Sequence, residues 1–203
     1  MEDQLIRQTV ELPGGPLTVL QPREAAELPD DREVEWAPVA PYWSVLWRSG
    51  VALAREVAAM PLGGSSVVEL GCGLGAPSLA AARGGATVLA TDADPDALDL
   101  VRRSAKLNGV ELETAVVDWS ATDELVDKGP FDLVLAADVL YERPSVARLL
   151  ALLPRLAPKA LIADPGRPAS GAFLERAWER WNVEARRRGE IGVHAIRMTS
   201  SIG

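Results

Sequence analysis

The chain has 203 residues, is 48% hydrophobic and carries a net charge of −8. That length predicts one domain, 1–203, with a sizeable core, and that hydrophobic content excludes a disordered chain. The acidic balance argues against broad nucleic-acid binding, which relies on basic surface, and is compatible with plain solubility, a cationic protein target or a small molecule.

In chain order, Leu5–Val10 and Leu17–Leu20 flank Pro13-Gly14-Gly15-Pro16, which predicts a β-hairpin. Residues 21–41 are rich in proline and acid and are expected to wrap the surface, so 1–41 reads as hairpin and flap and 42–203 as the core. Trp43 to Met60 reads as the first core helix, broken by Pro61-Leu62-Gly63-Gly64. The apolar run from Val67 that ends in Glu69 then reads as a strand, followed by a glycine turn and a helix from Ser78 to Arg83. Thr87–Thr91 is a second strand. Pro95–Leu107 is a helix, with Asp94 as N-cap and proline at its first position. Ala115–Val117 and Phe131–Ala137 are the third and fourth strands. Ser145–Leu156 is a helix, Ala160–Ala163 a short strand, and Ser170–Trp181 the last helix. Asn182–Arg187 and Val193–Met198 close the chain as an antiparallel hairpin around Gly189. Alternating strands and helices predict a Rossmann-like α/β sheet with helices on both faces.

The run Glu69-Leu70-Gly71-Cys72-Gly73-Leu74-Gly75-Ala76 carries the most information. Glycines allow a sharp turn and close approach to a ligand, and free N–H groups at a helix start can hold an anion. Gly71, Gly73 and Ala76 also meet the relaxed dinucleotide fingerprint, so the loop alone is weak. Its sequel is more specific. The second strand ends at Asp92, followed by Ala93, where a ribose-binding carboxylate belongs. Asp118-Trp119 offers an acceptor beside a flat aromatic face and suits an adenine ring. Asp138 follows the fourth strand after Ala137, with Tyr141 shortly beyond. Four successive strands thus end in an acid, at the sheet end where open α/β folds bind ligands.

With these residues the chain resembles the class I, seven-β-strand, S-adenosylmethionine-dependent methyltransferases over roughly residues 40–200. Trp47, the Glu69-Leu70-Gly71 form of the loop and Ala137-Asp138-Val139-Leu140-Tyr141 make it similar to the protein-lysine methyltransferase branch. Pro41-Tyr42-Trp43 and Asp164-Pro165-Gly166-Arg167 point to the group similar to electron-transfer-flavoprotein β-subunit lysine methyltransferase and its bacterial relatives. The resemblance implies a seven-stranded sheet of order 3-2-1-4-5-7-6 with the last strand antiparallel. It implies S-adenosyl-L-methionine as cofactor and S-adenosyl-L-homocysteine as product. It places Trp47, Glu69, Gly71, Cys72, Gly73, Gly75, Asp92, Ala93, Asp118, Trp119, Ala137 and Asp138 around the cofactor. Asp138 and Tyr141 serve the acceptor, a protein lysine or a small amine. Glu69 would position the cofactor's amino group or order the loop. An NAD(P)-dependent oxidoreductase or a non-catalytic nucleotide-binding module is the competing class, though no Tyr-x-x-x-Lys set supports it.

Plainer readings stand beside these. Asp92 could cap its own turn with Asp94, and Asp118 could be an ordinary loop acid. Cys72 suits the turn as a small side chain, with no histidine near it in sequence for activation. One histidine, His194, and one cysteine leave too few ligands for a zinc site of usual composition. Trp36, Trp43 and Trp47 either anchor the flap or, with Tyr42, cover the cofactor and line an acceptor channel, where aromatic faces attract cations. Trp178 and Trp181, three apart on the last helix, have core spacing. No apolar stretch is long enough to span a membrane, and the N-terminus lacks the pattern of a secretory signal. The lone cysteine fits a reducing compartment, which makes the cytoplasm the expected location.

Overall fold

The computed structural model describes residues 4–26, 41–119, 122–141 and 143–198. The flap residues 27–40, Trp36 among them, lie outside that set. Strands β1 (Leu5–Leu12) and β2 (Gly15–Pro22) form the expected hairpin, and a short helix α1 (Arg23–Ala26) follows. The core alternates α2 (Arg48–Ala58), β3 (Ser66–Leu70), α3 (Ala76–Arg83), β4 (Thr87–Asp92), α4 (Pro95–Asn108), β5 (Glu113–Val116) and α5 (Asp123–Asp127). It continues with β6 (Leu133–Ala137), α6 (Arg143–Leu156), β7 (Lys159–Asp164), α7 (Pro168–Trp178), β8 (Asn182–Arg188) and β9 (Ile191–Arg197).

The seven core strands order as β5-β4-β3-β6-β7-β9-β8. Counted from β3 this is 3-2-1-4-5-7-6, with β9 antiparallel to both its neighbours. Parallel register pairs Leu70 with Thr91 and with Ala136, and Ala137 with Ala163. The strand ends therefore finish level, and whatever follows each strand meets along one edge. Both faces of the sheet are covered, so the central strands are apolar on both sides. Val67, Leu133, Leu135 and Val193 pack with Leu53 of α2 and Leu79 of α3. Val68, Leu70, Val134 and Ile162 pack on the opposite face with Leu149 and Leu153 of α6 and Phe173 of α7. Each such fully buried side chain contributes about 1.5–3 kcal/mol.

The hairpin docks on the helix layer. Leu17 and Val19 are fully buried. Asn108 imitates a strand neighbour, its Oδ1 accepting from Thr18 N and its Nδ2 donating to Thr18 O. Ser104 Oγ accepts from Leu20 N inside the core.

Two helices depart from the sequence reading by more than two residues at one end. The first core helix starts at Arg48; Tyr42–Ser44 form a single 3-10 turn, and Val45 and Trp47 are extended. Trp43, Leu46 and Trp47 have helical spacing, but Trp47 N–H bonds to Val45 O and the Trp47 indole N–H to Tyr42 O, which holds a compact bend. The last helix spans 168–178, and Trp178 is 54% exposed rather than core. Its buried stripe is Ala169, Phe173 and Ala177, and once the helix has ended, Trp181 N–H turns back to Ala177 O and packs Trp181 on the core alone. The short helix α5 has no counterpart in the sequence reading, because five residues carry little periodicity.

The β3–α3 connection positions the site. Gly71, Gly73 and Gly75 have φ of 61°, 50° and 70°. A Cβ on Gly75 would lie 2.7 Å from Val101 Cγ2, and one on Gly73 would lie 3.1 Å from Trp43 O. Glu69 reaches forward from β3: its Oε2 accepts the N–H (2.8 Å) and the hydroxyl of Ser78 in α3's first turn. Glu69 is buried, and burial pushes its carboxyl up to about 8; the two Ser78 bonds oppose this and the nearby Asp92 charge adds to it.

Two outcomes follow. Gly75→Ala destabilises by about 2 kcal/mol or more, read as a lower urea midpoint, because strain and overlap with Val101 combine. Gly109→Ala, at a φ of 65° with open space around it, loses only about 1 kcal/mol. Equal losses would show that the contact with Val101 is relieved at no cost. For Glu69, the folded state holds a proton that the unfolded state releases. The associated stability is complete below about 4.5 and is lost as pH rises to about 8. Urea unfolding across that window therefore shows wild type falling relative to Glu69→Gln. Parallel curves would contradict a raised carboxyl at this position.

Candidate active site

A cleft of about 800 Å³ opens along the level strand ends. It is bounded by the glycine loop, by Asp92 and Ala93 after β4, by Asp118 and Trp119 after β5, and by Ala137, Asp138 and Tyr141 after β6. Its volume falls in the range of ordinary cofactor and ligand sites. Tyr42, Trp43 and Trp47 form its remaining wall. Every residue expected around the cofactor or the acceptor thus borders this one cleft, including Trp47, Glu69, Gly71, Cys72, Gly73 and Gly75.

Asp92 closes the loop on itself. Its Oδ2 accepts from Gly73 N at 2.8 Å and its Oδ1 from Asp94 N at 3.0 Å. Each oxygen keeps a second lone pair, so the turn-capping and ligand-binding readings of Asp92 are compatible. Cys72 N–H bonds to Thr91 O and Val117 N–H to Asp92 O, which ties the loop and β5 to the end of β4. Asp118 is exposed and Trp119 half-buried. The Trp119 ring borders Gly71, where an added Cβ would lie 3.2 Å from Val139 Cγ1. Glu69 Oε2 is engaged by Ser78, which realises the loop-ordering use expected of this residue.

The Cys72 thiol is buried and raised well above its ordinary value, chiefly by burial, which disfavours the thiolate a nucleophile needs. His194 sits in β9 opposite Ile162 and Ala185, away from the cleft, and burial lowers its imidazole.

The far end of the cleft is built around Asp138. This residue has φ 57° and its N–H bonds to Ala163 O, so the chain leaves the sheet there. Tyr141 and Tyr42 are 62% and 64% exposed, and their rings stack at 6.2 Å across the cleft mouth. The Trp47 ring lies 6.5 Å from Tyr42. Arg167 Nε–H donates to Asp138 Oδ1 at 2.7 Å. Arg148 and Ser145 of α6 also line the cleft. None of these three had a site role in the sequence reading. The available signal was the Asp164-Pro165-Gly166-Arg167 run, a proline-glycine turn just beyond an acid-ended strand.

Comparison with known proteins agrees with this geometry. The profile of the lysine methyltransferase family matches residues 42–164. The electron transfer flavoprotein beta subunit lysine methyltransferase of Xenopus laevis is 36% identical over 141 residues, covering 65% of this chain and 55% of that protein. Its Mus musculus counterpart is 34% identical over 140 residues, covering 66% and 54%. The chain spans about half the length of the curated relatives it matches. The Thermus thermophilus 16S rRNA N2 G1207 methyltransferase, solved with AdoMet and guanosine, superposes with a TM-score of 0.69 at 16% identity, over 97% of this chain and 51% of that one. At that identity the likeness concerns the fold. The match over 42–164 takes in the glycine loop and the acids of all four strand ends, and this chain belongs to the lysine methyltransferase family.

Proposed function

We propose that this chain is an S-adenosylmethionine-dependent methyltransferase whose acceptor is a lysine side chain of a protein. The observation that carries the reading is the convergence of Asp92, Asp118 and Asp138 with the glycine loop on one cleft. The residues present fit the cofactor. The Asp92 carboxylate has spare lone pairs for ribose hydroxyls, and Asp118 with Trp119 offers an acceptor and a stacking face for adenine. The close packing of Gly71 and Gly73 leaves backbone, not side chain, facing the ligand. The Trp43 indole N–H is buried without a hydrogen-bond partner among the described residues, in the same wall.

When bound, S-adenosylmethionine supplies a methyl group already activated on a sulfonium. The protein's share is to place a nucleophile in line and exclude water, and such positioning contributes roughly 7–11 kcal/mol. A lysine amine must first lose a proton, since its ordinary pKa is about 10.4. Asp138 orients the amine by accepting one of its N–H groups, and the proton leaves to solvent. Tyr42, Tyr141 and Trp47 narrow the mouth and attract the incoming ammonium through their ring faces. Both the lysine family profile and the lysine methyltransferases among the relatives support a protein acceptor.

The test is transfer of labelled methyl from S-adenosylmethionine into a cell lysate, with proteins and metabolites separated afterwards. Label is expected in protein, recovered as methyl-lysine after hydrolysis. Label confined to metabolites would move the acceptor to a small amine. Asp138→Ala is expected to lose about a hundredfold or more in turnover while S-adenosylhomocysteine binding is retained. Equal loss of both would place Asp138 in the cofactor site or the fold.

A further inference from the structure

Asp138 is placed with unusual care. It takes a left-handed backbone conformation, φ 57°, which a non-glycine residue keeps only where its surroundings enforce it. Its side chain is 5% exposed, and Arg167, itself 25% exposed, lies over it. One carboxylate oxygen, Oδ1, is taken by Arg167 Nε–H at 2.7 Å. The other, Oδ2, is buried and finds no hydrogen-bond partner among the described residues. An orphaned carboxylate oxygen in a cleft wall is costly unless a ligand donates to it.

Arg167 is itself held from below. Asp164, the last residue of β7, accepts from Gly166 N at 2.7 Å and Arg167 N at 2.9 Å through Oδ1. This folds the turn just before α7. Asp164 is nearly fully buried and thus a rigid anchor. The path runs from the buried end of β7, through a capped turn, to one N–H of a guanidinium, and so to one oxygen of Asp138.

We infer that Arg167 is a positioning residue of the acceptor site: it fixes one oxygen of Asp138 and supplies the counter-charge, leaving Oδ2 as the single acceptor for the N–H of an incoming aliphatic amine. This rests on the methyltransferase reading for the identity of the amine as methyl acceptor. A carboxylate this buried, deprived of the guanidinium that fixes it, turns toward solvent, and there it ceases to receive an amine. Lysine at 167 keeps the charge but not the planar donor set, so it restores the seat in part.

The probe is n-butylammonium, the end of a lysine side chain, titrated into protein saturated with S-adenosylhomocysteine and followed by ligand-observed NMR. Wild type is expected to bind it. Asp138→Asn and Arg167→Ala are each expected to weaken it roughly tenfold or more, and Arg167→Lys to return to within about threefold of wild type. Far-UV circular dichroism of each variant, and the S-adenosylhomocysteine affinity of the two Arg167 variants, are expected to stay close to wild type and so show the fold retained, while the thermal midpoint of Arg167→Ala falls because a buried carboxylate loses its cation. Binding by Arg167→Ala equal to or tighter than wild type would overturn the inference, because Arg167 would then compete for the seat. Absence of butylammonium binding by wild type would overturn it as well. Absence of S-adenosylhomocysteine binding would count against the methyltransferase reading instead, and the amine titration without it would still decide the role of Arg167.

Discussion

The tie between Glu69 and Ser78 is the constraint on which the cleft depends. A strand that ends beside a helix start must turn within a few residues, and here it does so through three glycines with positive φ. Glycines alone leave such a turn with many conformations. Glu69 removes that freedom by reaching past the loop to α3, and Asp92 removes more by accepting the Gly73 N–H from the neighbouring strand. Two buried or half-buried acids thus hold the loop open against collapse, one on each side. The cost is visible in Glu69, whose carboxyl is pushed up to about 8 by burial.

The rest of the site divides into two ends with different physics. Around Asp92, Asp118 and Trp119 the donors and acceptors are partly solvated, which suits a polar nucleoside that must enter and leave. At the other end the Asp138 carboxylate is buried beneath Arg167 and held just past the end of β6, which suits orientation of a reacting atom. Parallel register keeps the two ends a fixed distance apart, because β4, β3, β6 and β7 finish level. The Tyr42–Tyr141 stack bridges the bend before α2 to the β6 loop, so the mouth is built from two segments far apart in sequence.

Much of this was legible in the chain. Glycine spacing and strand-terminal acids carry their own geometry, since a parallel sheet brings successive strand ends together whatever the helices between them. That is why the spacing of Glu69, Asp92, Asp118 and Asp138 in the sequence already points to one cleft. The start of α2 was not legible, because Trp43, Leu46 and Trp47 mimic an amphipathic helix. What decides that segment is the close approach of Trp43 to Gly73 and the Trp47–Tyr42 bond, and neither leaves a periodic trace. Trp178 departs from its core spacing for a related reason: that spacing presumes a helix that continues, and α7 stops there. The Arg167–Asp138 pair joins residues on different strand ends, and only the sheet order makes them neighbours.

The most direct measurement is calorimetric titration with S-adenosylmethionine and S-adenosylhomocysteine, using NAD(H) and NADP(H) as controls, on wild type and Asp92→Ala. Saturable binding of the first two ligands by wild type, lost in the variant and absent for the nicotinamide nucleotides, is the expected result. No binding of either sulfur ligand by protein that is folded by circular dichroism would contradict a working methyltransferase site in this cleft.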